Sequence, residues 1–467
     1  MTLVIFSCSK QLDTQPETFA IELQSFEDVE NAMKGVYDGF QSQNYYNSPP
    51  SSGSPSGWSS TPELMGDDFV EALESLGNWN SLSEMAYAAD NGAVEGAFVH
   101  AYTIIGRANT VLAAVGKFET GATAMQAKTI KAQALAIRAH AHFDLMRYYA
   151  QSYDRNATTL GIPYVTTINL SNPFSNLPAR NTVKENYDAV FKDLNDALVA
   201  FRAGGNTTAN ASRYYVDSLV VYAMRTRVSY YASQWADVIR DANTALTLRP
   251  LGNATDYVNV FRIGSSGFED APPTEVYWAI PSDGALVPGG AIGGTNASYR
   301  ITANMTSILQ GQGGAYINTG IVRFNQPGIG INRTLLWKYP GIRSFKVFRA
   351  GEIILMRAEA KYRTSDATSL TDLNSLRTNR GVLAGTETGT SLLDAITLLR
   401  RVELLGEGHR WFDLRRTTKT IVRAECGATG NSRAANCSIA PSSRGWIWPI
   451  PFDDINVNPN LVQNPGY

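Results

Sequence analysis

Apolar residues recur at spacings of three and four over several long stretches of the chain. This spacing places them on one face of an α-helix and predicts amphipathic helices. The predicted helices cover residues 27–42, 92–116, 123–150, 182–202, 346–363, 366–380 and 390–404. Ser25 precedes the first of them and is a candidate helix cap.

Residues 213–249 have the pattern of two helices that follow one another closely. In the second half, Trp235, Ala245 and Pro250 stand at offsets that resemble a tetratricopeptide repeat. The proline ends the second helix, because it cannot continue the backbone hydrogen bonding. The fold class predicted is therefore mainly α, with helix pairs as the repeating unit.

Two stretches, residues 43–91 and 251–345, lack the helical spacing. The first is rich in Ser, Gly and Pro, and the second in Gly, Asn, Pro and Thr. The second contains one clear strand, Glu275–Ile280, which Pro281 ends. Loops of this length are uncommon unless they have a function, so the ligand site is expected here.

Composition narrows the possible partners. The 467 residues include 40 Lys and Arg against 42 Asp and Glu, which gives a net charge of −2. Such a balance provides no field for holding a polyanion, so nucleic acid is not an expected partner. Four His and three Cys offer few metal ligands, and neither a metal site nor a cofactor is predicted.

Signatures of catalysis are absent. The chain has no phosphate-binding glycine loop, no HExxH and no GxSxG. Glu407, His409 and Asp413 could suggest acid–base chemistry, but they stand among arginines in EGHRWFDLRR. A salt-bridged structural cluster is the simpler interpretation, so we predict no catalytic residue and no enzyme.

The three cysteines predict a compartment. The apolar run Leu3–Phe6 leads into Ser7-Cys8 and has the features of the end of a secretory signal with a lipobox, so residues 1–8 are interpreted as a signal remnant and Cys8 as a lipidation site. The alternative is a start-site remnant in a cytosolic protein. Cys426 and Cys437 flank ten residues rich in Gly, Ala, Asn and Ser, which favours a local disulfide over two free thiols.

Several segments in order carry a family resemblance: CSKQLDTQP before ENAMKGVYDGF, then ELMGDD, AQALAIRAHAHFDLMRYY with GIPYV, KVFRAGEIILMRAEAKYR, RRVELLGEGHRWFDLRR and the terminal WPIPFDDINVNPNLVQNPGY. Together they resemble the SusD/RagB family of Bacteroidetes outer-membrane lipoproteins. The resemblance runs from Cys8 to Tyr467.

This resemblance implies about four tetratricopeptide-like helix pairs that form a scaffold, with a loop-rich ligand region carrying short strands. One domain is then expected over residues 9–467. Its scaffold covers about 20–42, 92–250 and 346–420, its ligand region about 43–91 and 251–345, and its C-terminal segment 421–467. The resemblance further implies a lipid-anchored protein at the cell surface, in the outer membrane, that captures a glycan and delivers it to a SusC-like TonB-dependent transporter.

Sugars present apolar C–H faces rimmed by hydroxyl groups, so a glycan site needs aromatic rings beside short polar side chains. The loop regions supply both. The expected ring platforms are Trp58 and Trp79, and Tyr45 and Tyr46 lie in the same segment. The other candidates are polar neighbours and aromatic residues of the second loop region: Asn78, Asn80, Asp67, Asp68, Tyr299, Arg300 and Tyr316.

Three other hypotheses remain open at this stage. A RagB-like peptide binder of the same architecture would have an open cleft with backbone-pairing groups and fewer exposed rings. A pure interaction scaffold would leave Trp58 and Trp79 buried or scattered. A hydrolase would place two carboxylates across a cleft.

Overall fold

The helical spacing of the sequence corresponds to long helices in a computed structural model, which describes residues 23–48, 55–169, 177–210, 212–262, 274–282, 286–427 and 432–467. The predicted signal remnant and Cys8 lie outside these residues. The helices of the scaffold are α1 (Phe26–Asp38), α4 (Gly92–Val115), α5 (Ala124–Tyr149), α6 (Val183–Ala203), α7 (Ser218–Tyr231), α8 (Trp235–Leu248), α11 (Ala350–Arg363), α12 (Ser369–Asn379) and α13 (Gly389–Glu403). The shorter helices are α2 (Thr61–Leu64), α3 (Asn80–Ser83), α9 (Ala254–Val260), α10 (Ala303–Gln312), α14 (Arg410–Arg416) and α15 (Phe452–Val457).

Successive helices of the scaffold pack side by side. Helix α5 packs against α4 and α6, α7 packs against α8, and α11 packs against α8, α12 and α13. Ser25 caps α1 as predicted, because its hydroxyl accepts the N–H of Asp28 at 3.1 Å while the Asp28 carboxylate accepts the N–H of Ser25. The mainly α fold is confirmed, and none of the described helices is both long and apolar enough to span a bilayer.

The loop-rich regions contain more strand than the sequence predicted. The strands are β1 (Phe69–Glu71), β2 (Val276–Ile280), β3 (Tyr299–Ile301), β4 (Val322–Gln326), β5 (Arg333–Leu336), β6 (Phe345–Arg349), β7 (Ile421–Val422) and β8 (Ser438–Ile439). Four of them form an antiparallel sheet in the order β1-β3-β5-β4, while β2 pairs with β6 and β7 with β8. The first and second loop regions of the sequence therefore meet in one sheet, through the pairing of β1 with β3.

The helix predicted from residue 346 begins too early. Residues 345–349 form β6, whose five residues are all buried, and α11 starts only at Ala350. Pairing with β2 decides this, since Ile280 lies opposite Phe345 and Val276 opposite Arg349. Local spacing alone could not reveal a partner strand about 70 residues away.

A buried ion network joins the ligand region to the C-terminal helices. Arg349 pairs with Glu407 at 2.7 Å, and Arg380 pairs with Glu275 at 2.9 Å and with Glu403 at 2.8 Å. Burial alone would raise the pKa of Glu407, but the charges of Arg349 and Lys338 outweigh it and hold that pKa below its ordinary value. The carboxylates of EGHRWFDLRR are ion-paired as predicted, but their partners lie outside that motif: Glu407 pairs with Arg349, and Asp413 pairs with Arg400 at 2.8 Å.

Candidate ligand-binding site

Trp58, predicted to present an open ring, is a core residue with 1% of its surface exposed. Its ring stacks on Tyr45 with centroids 4.3 Å apart, and its indole N–H donates to the backbone oxygen of Asp144 at 3.4 Å. The neighbouring Gly57 does not leave this ring open to solvent. Instead it lets the backbone approach that of Asn44 more closely than any side chain would allow. The expectation for Trp58 is therefore wrong.

Tyr45 and Tyr46 are buried in the same cluster and cannot face a ligand. The hydroxyl of Tyr45 donates to Asp144 Oδ2 at 2.8 Å. The hydroxyl of Tyr46 lies 2.8 Å from His140 Nε2 and 3.2 Å from Asp144 Oδ2. Helix α5 therefore provides the hydrogen-bond partners that hold the hydroxyl groups of both tyrosines against the scaffold.

Asp67 and Asp68 are ion-paired rather than free to accept hydrogen bonds from sugar hydroxyls. Asp67 binds the guanidinium of Arg410 through both oxygens, at 2.6 and 2.9 Å, and Asp68 lies 2.5 Å from Arg401 Nη2. Burial alone would raise the pKa of Asp67, but the two arginines outweigh it and hold that pKa below its ordinary value. The two carboxylates attach the end of the first loop region to α13 and α14.

Three candidates in the second loop region are also buried. Tyr299 is 1% exposed in β3, and Arg300 pairs with Glu425 at 2.6 Å. Tyr316 donates its hydroxyl to Glu403 at 2.8 Å and so belongs to the buried ion network. Each of these side chains has its polar group directed into the protein, and the expectation that they bind ligand is wrong.

Trp79 and its neighbours remain at the surface. Trp79 is half-buried against the core, Asn78 is exposed and Asn80 is half-buried. Asn80 Oδ1 has no hydrogen-bond partner in the described part of the chain, although this atom is itself shielded from solvent. We call the group Leu76, Asn78, Trp79 and Asn80 the Trp79 surface.

The Trp79 surface follows β1, an edge strand of the four-stranded sheet. Gly77 has a φ of 78°, a left-handed conformation that glycine adopts readily, and its carbonyl accepts the N–H of Asn80 at 3.3 Å. Leu76, beside this turn, is 85% exposed. Glu74 holds the neighbouring β4–β5 connection by accepting the N–H of Ile329 at 2.7 Å. An exposed apolar side chain, an indole edge and two amides thus lie together on one loop.

The surface is supported by a second loop that the sequence did not connect with it. Strands β7 and β8 and the residues between them, 421–427 and 432–439 as described, form what we call the disulfide arm. The structure joins Cys426 and Cys437 in a disulfide, with their Cα atoms 5.4 Å apart. Arg423 and Glu84 link this arm to the Trp79 segment, residues 72–84, and sequence reasoning missed both. The two cysteines in the sequence indicated a closed loop, but no pattern in the sequence indicated that this loop contacts the Trp79 segment.

A large cavity among the described residues lies elsewhere, with a volume of about 890 Å³. This helical cleft lies between the α7–α8 turn, α13 and α14, and its lining includes Trp235, Arg363 and Asp67. Trp235, interpreted from the sequence as a packing residue, is only half-buried there. Much of the charge in the cleft is already neutralised, for example where Arg416 pairs with Glu359 at 3.0 Å.

No group of three or more His, Cys, Asp or Glu side chains within the described ranges has an arrangement that could hold a metal ion. Of the carboxylates that line the cleft, Glu359, Asp413 and Asp67 each pair with an arginine. The chemistry available at the Trp79 surface is therefore stacking and hydrogen bonding.

Two family models match separate parts of the chain. A model described as "Starch-binding associating with outer membrane" matches residues 21–203, and a model described as "SusD family" matches residues 337–467. Among curated proteins, a SusD-like protein P38 from Formosa agariphila is 23% identical over 540 aligned positions, which cover 99% of this chain and 96% of that protein.

Solved structures share the fold over nearly the whole chain. A candidate sugar-binding protein from Bacteroides vulgatus superposes with a TM-score of 0.80 at 23% identity, covering 96% of this chain and 100% of the other. A SusD-like carbohydrate-binding protein from the same organism gives a TM-score of 0.76 at 20% identity, covering 93% and 97%. At these identities the likeness concerns the fold.

Proposed function

The chain belongs to the SusD/RagB family, and on that premise we propose that it captures an oligo- or polysaccharide at the cell surface and delivers it to a SusC-like TonB-dependent outer-membrane transporter. The descriptions of the matching family model and of the structural relatives support a carbohydrate ligand. We propose the same single-domain organisation as expected from the sequence, with residues 9–467 as one ligand-binding unit.

The observation that carries the proposal is the state of Trp79. Eight of the eleven ligand candidates named from the sequence are held in the core or in ion pairs, whereas Asn78, Trp79 and Asn80 keep exposed or unpaired groups. A partly exposed indole beside the exposed amide of Asn78 is suited to a sugar, because the ring can cover a C–H face while the amide reaches hydroxyls on its rim. Loops held on a rigid scaffold are where binding residues concentrate.

We also propose that the chain is anchored to the outer membrane by lipid on Cys8. The family model's description supports association with that membrane. Binding and transfer require no chemical step, and the carboxylates of EGHRWFDLRR already serve the ion network. We therefore infer that the protein is not an enzyme and needs no cofactor.

The test is a binding screen against polysaccharides and peptides, followed by calorimetry of Trp79→Ala with the glycan that the screen identifies. Loss of a stacked ring should cost about 1–2 kcal/mol, which is roughly a five- to thirtyfold loss of affinity. The melting temperature should fall less than in a variant of a fully buried ring, because Trp79 is only partly packed against the core. Trp411→Ala is the matched control, because that fully buried ring packs without contacting the Trp79 surface.

Other outcomes identify different functions or sites. Capture of peptides and no glycan would favour the RagB-like function and contradict the proposal. Unchanged glycan affinity in Trp79→Ala together with weakened affinity in Trp235→Ala would move the site to the helical cleft.

A further inference from the structure

We propose that the disulfide arm positions the Trp79 surface, so that ligand capture depends on an intact Cys426–Cys437 bond. The consequence for the ligand rests on the proposed function, whereas the positioning itself does not. The inference comes from contacts that both limbs of the arm make with the same short segment, residues 72–84.

The first limb of the arm, residues 421–427, contacts the segment through Arg423, which is 4% exposed. Its guanidinium donates to the backbone oxygen of Ser83 and also to those of Gly66 at 3.1 Å and Met65 at 3.3 Å. One buried cation therefore satisfies three carbonyl groups on both sides of β1. Because Ser83 is the last residue of α3, Arg423 fixes the helix that begins directly after Trp79.

The second limb of the arm, residues 432–439, forms hydrogen bonds with Glu84. The carboxylate of Glu84 accepts the N–H groups of Ala435 at 3.0 Å and of Asn436 at 2.5 Å. The side chain of Asn436 donates back to the carbonyl of Glu84 at 3.3 Å. This carboxylate thus pairs with two successive backbone donors of the arm, and such charge-assisted bonds are stronger than neutral ones.

The same limb reaches the other end of the segment. The backbone N–H of Arg433 donates to the carbonyl of Glu71 at 3.3 Å, and its guanidinium donates to that of Leu73 at 3.1 Å. Beneath them, Cys426 and Ala434 pack against Val70 in a small apolar cluster. The arm therefore contacts both the beginning and the end of the segment that carries Trp79.

The disulfide is the covalent link between two limbs that are otherwise joined by a few hydrogen bonds, among them those from the Arg423 guanidinium to the Asn436 carbonyl at 3.3 Å and from the Ser432 hydroxyl to the Glu425 carbonyl at 2.6 Å. Strands β7 and β8 have two residues each, and between them the limbs share the bonds from Arg423 N to the Cys437 carbonyl at 2.8 Å and from Gly427 N to the Ala434 carbonyl at 2.7 Å. The arm itself is fixed to the sheet, since Glu425 pairs with Arg300 of β3. The Trp79 segment contains only the four-residue α3, and so short a helix is not stable alone.

The experiment compares hydrogen exchange in the full chain with and without the disulfide. Leu82 and Ser83 donate their amide hydrogens to the carbonyl of Trp79, and Glu84 donates to that of Asn80. In the double variant Cys426→Ser/Cys437→Ser these amides should exchange at least tenfold faster, while amides of α5 are unchanged. Cys437 is exposed, so dithiothreitol should reproduce the effect in the wild type and add nothing in the double variant.

Glu84→Ala keeps the disulfide but removes the carboxylate that binds the second limb. It therefore tests the contact between the arm and the Trp79 segment even if the double variant fails to fold. It should also speed exchange at Leu82 and Ser83, whereas Asp90→Ala, which removes an exposed carboxylate nearby, should not. Unchanged exchange in the double variant, or in Glu84→Ala, overturns the proposal. Affinity for the identified glycan should fall at least tenfold in the double variant. Faster exchange with unchanged glycan affinity would leave the positioning role in place and refute the Trp79 surface as the ligand site.

Discussion

Glu63 should make the stability of this protein fall as the pH rises. It lies fully buried in α2, where one carboxylate oxygen accepts the N–H groups of Gly408 at 2.8 Å and His409 at 3.0 Å. The other oxygen, Oε2, has no hydrogen-bond partner in the described part of the chain. Burial raises the pKa of Glu63 from its ordinary 4.5, and the carboxylate of Asp68 raises it further, to about 8.

The sign of the effect follows from proton binding. Because the pKa of Glu63 is higher in the folded chain than in the unfolded one, the folded chain holds this proton more tightly between pH 4.5 and about 8. The free energy of unfolding therefore decreases across that window. One pKa unit corresponds to about 1.4 kcal/mol, so the shift is worth at most roughly 5 kcal/mol above the window.

The variant that isolates this effect is Glu63→Gln, since glutamine has the shape of the protonated acid and cannot ionise. We expect the variant to match the wild type near pH 5 and to exceed it by about 2–4 kcal/mol near pH 9. Urea unfolding followed by circular dichroism at both pH values gives the difference directly. Burial lowers the pKa of His140 to about 4, which gives a pH dependence of opposite sign, but both proteins share it and it cancels.

Glu30→Gln provides the control, because Glu30 is exposed on α1. The urea unfolding curves of this variant and of the wild type should coincide at each pH. A difference between Glu63→Gln and wild type that is the same at both pH values would refute the reasoning. It would mean that the backbone donors of Gly408 and His409 stabilise an ionised Glu63 despite its burial.

Two further predictions concern residues that the structure reassigns or does not describe. Trp58→Ala should lower the free energy of unfolding by about 3–5 kcal/mol, because it removes a buried ring. The folded fraction should bind glycan normally in calorimetry. A stable variant with weakened binding would contradict the burial of Trp58. Cys8→Ala should move the full-length protein from the membrane fraction to the soluble fraction in cells lacking the transporter, because stable anchoring needs lipid on that residue; continued membrane association would count against the lipid anchor.

Trp58 and Trp79 show why a ligand site is hard to predict from local sequence. Both stand in a Ser-, Gly- and Asn-rich loop, and nothing within a few residues distinguishes them. Trp58 is buried because Tyr45, Tyr148 and Asp144 surround it, and two of these lie in α5, about 90 residues further along the chain. Trp79 stays partly exposed because its ring packs only in part against the core, while Glu84 and Arg423 hold its segment to the disulfide arm.

Helical periodicity is a local property, and from the sequence alone it predicted the mainly α class and most of the scaffold helices to within a few residues. The order of the motifs along the sequence also indicated the protein family. Only the tertiary structure decided which loop rings are exposed, that β1 and β3 unite the two loop regions, and that the disulfide arm touches the Trp79 segment. Each of these depends on pairing between residues distant along the chain, where burial and electrostatic partners come from elements that no local pattern specifies.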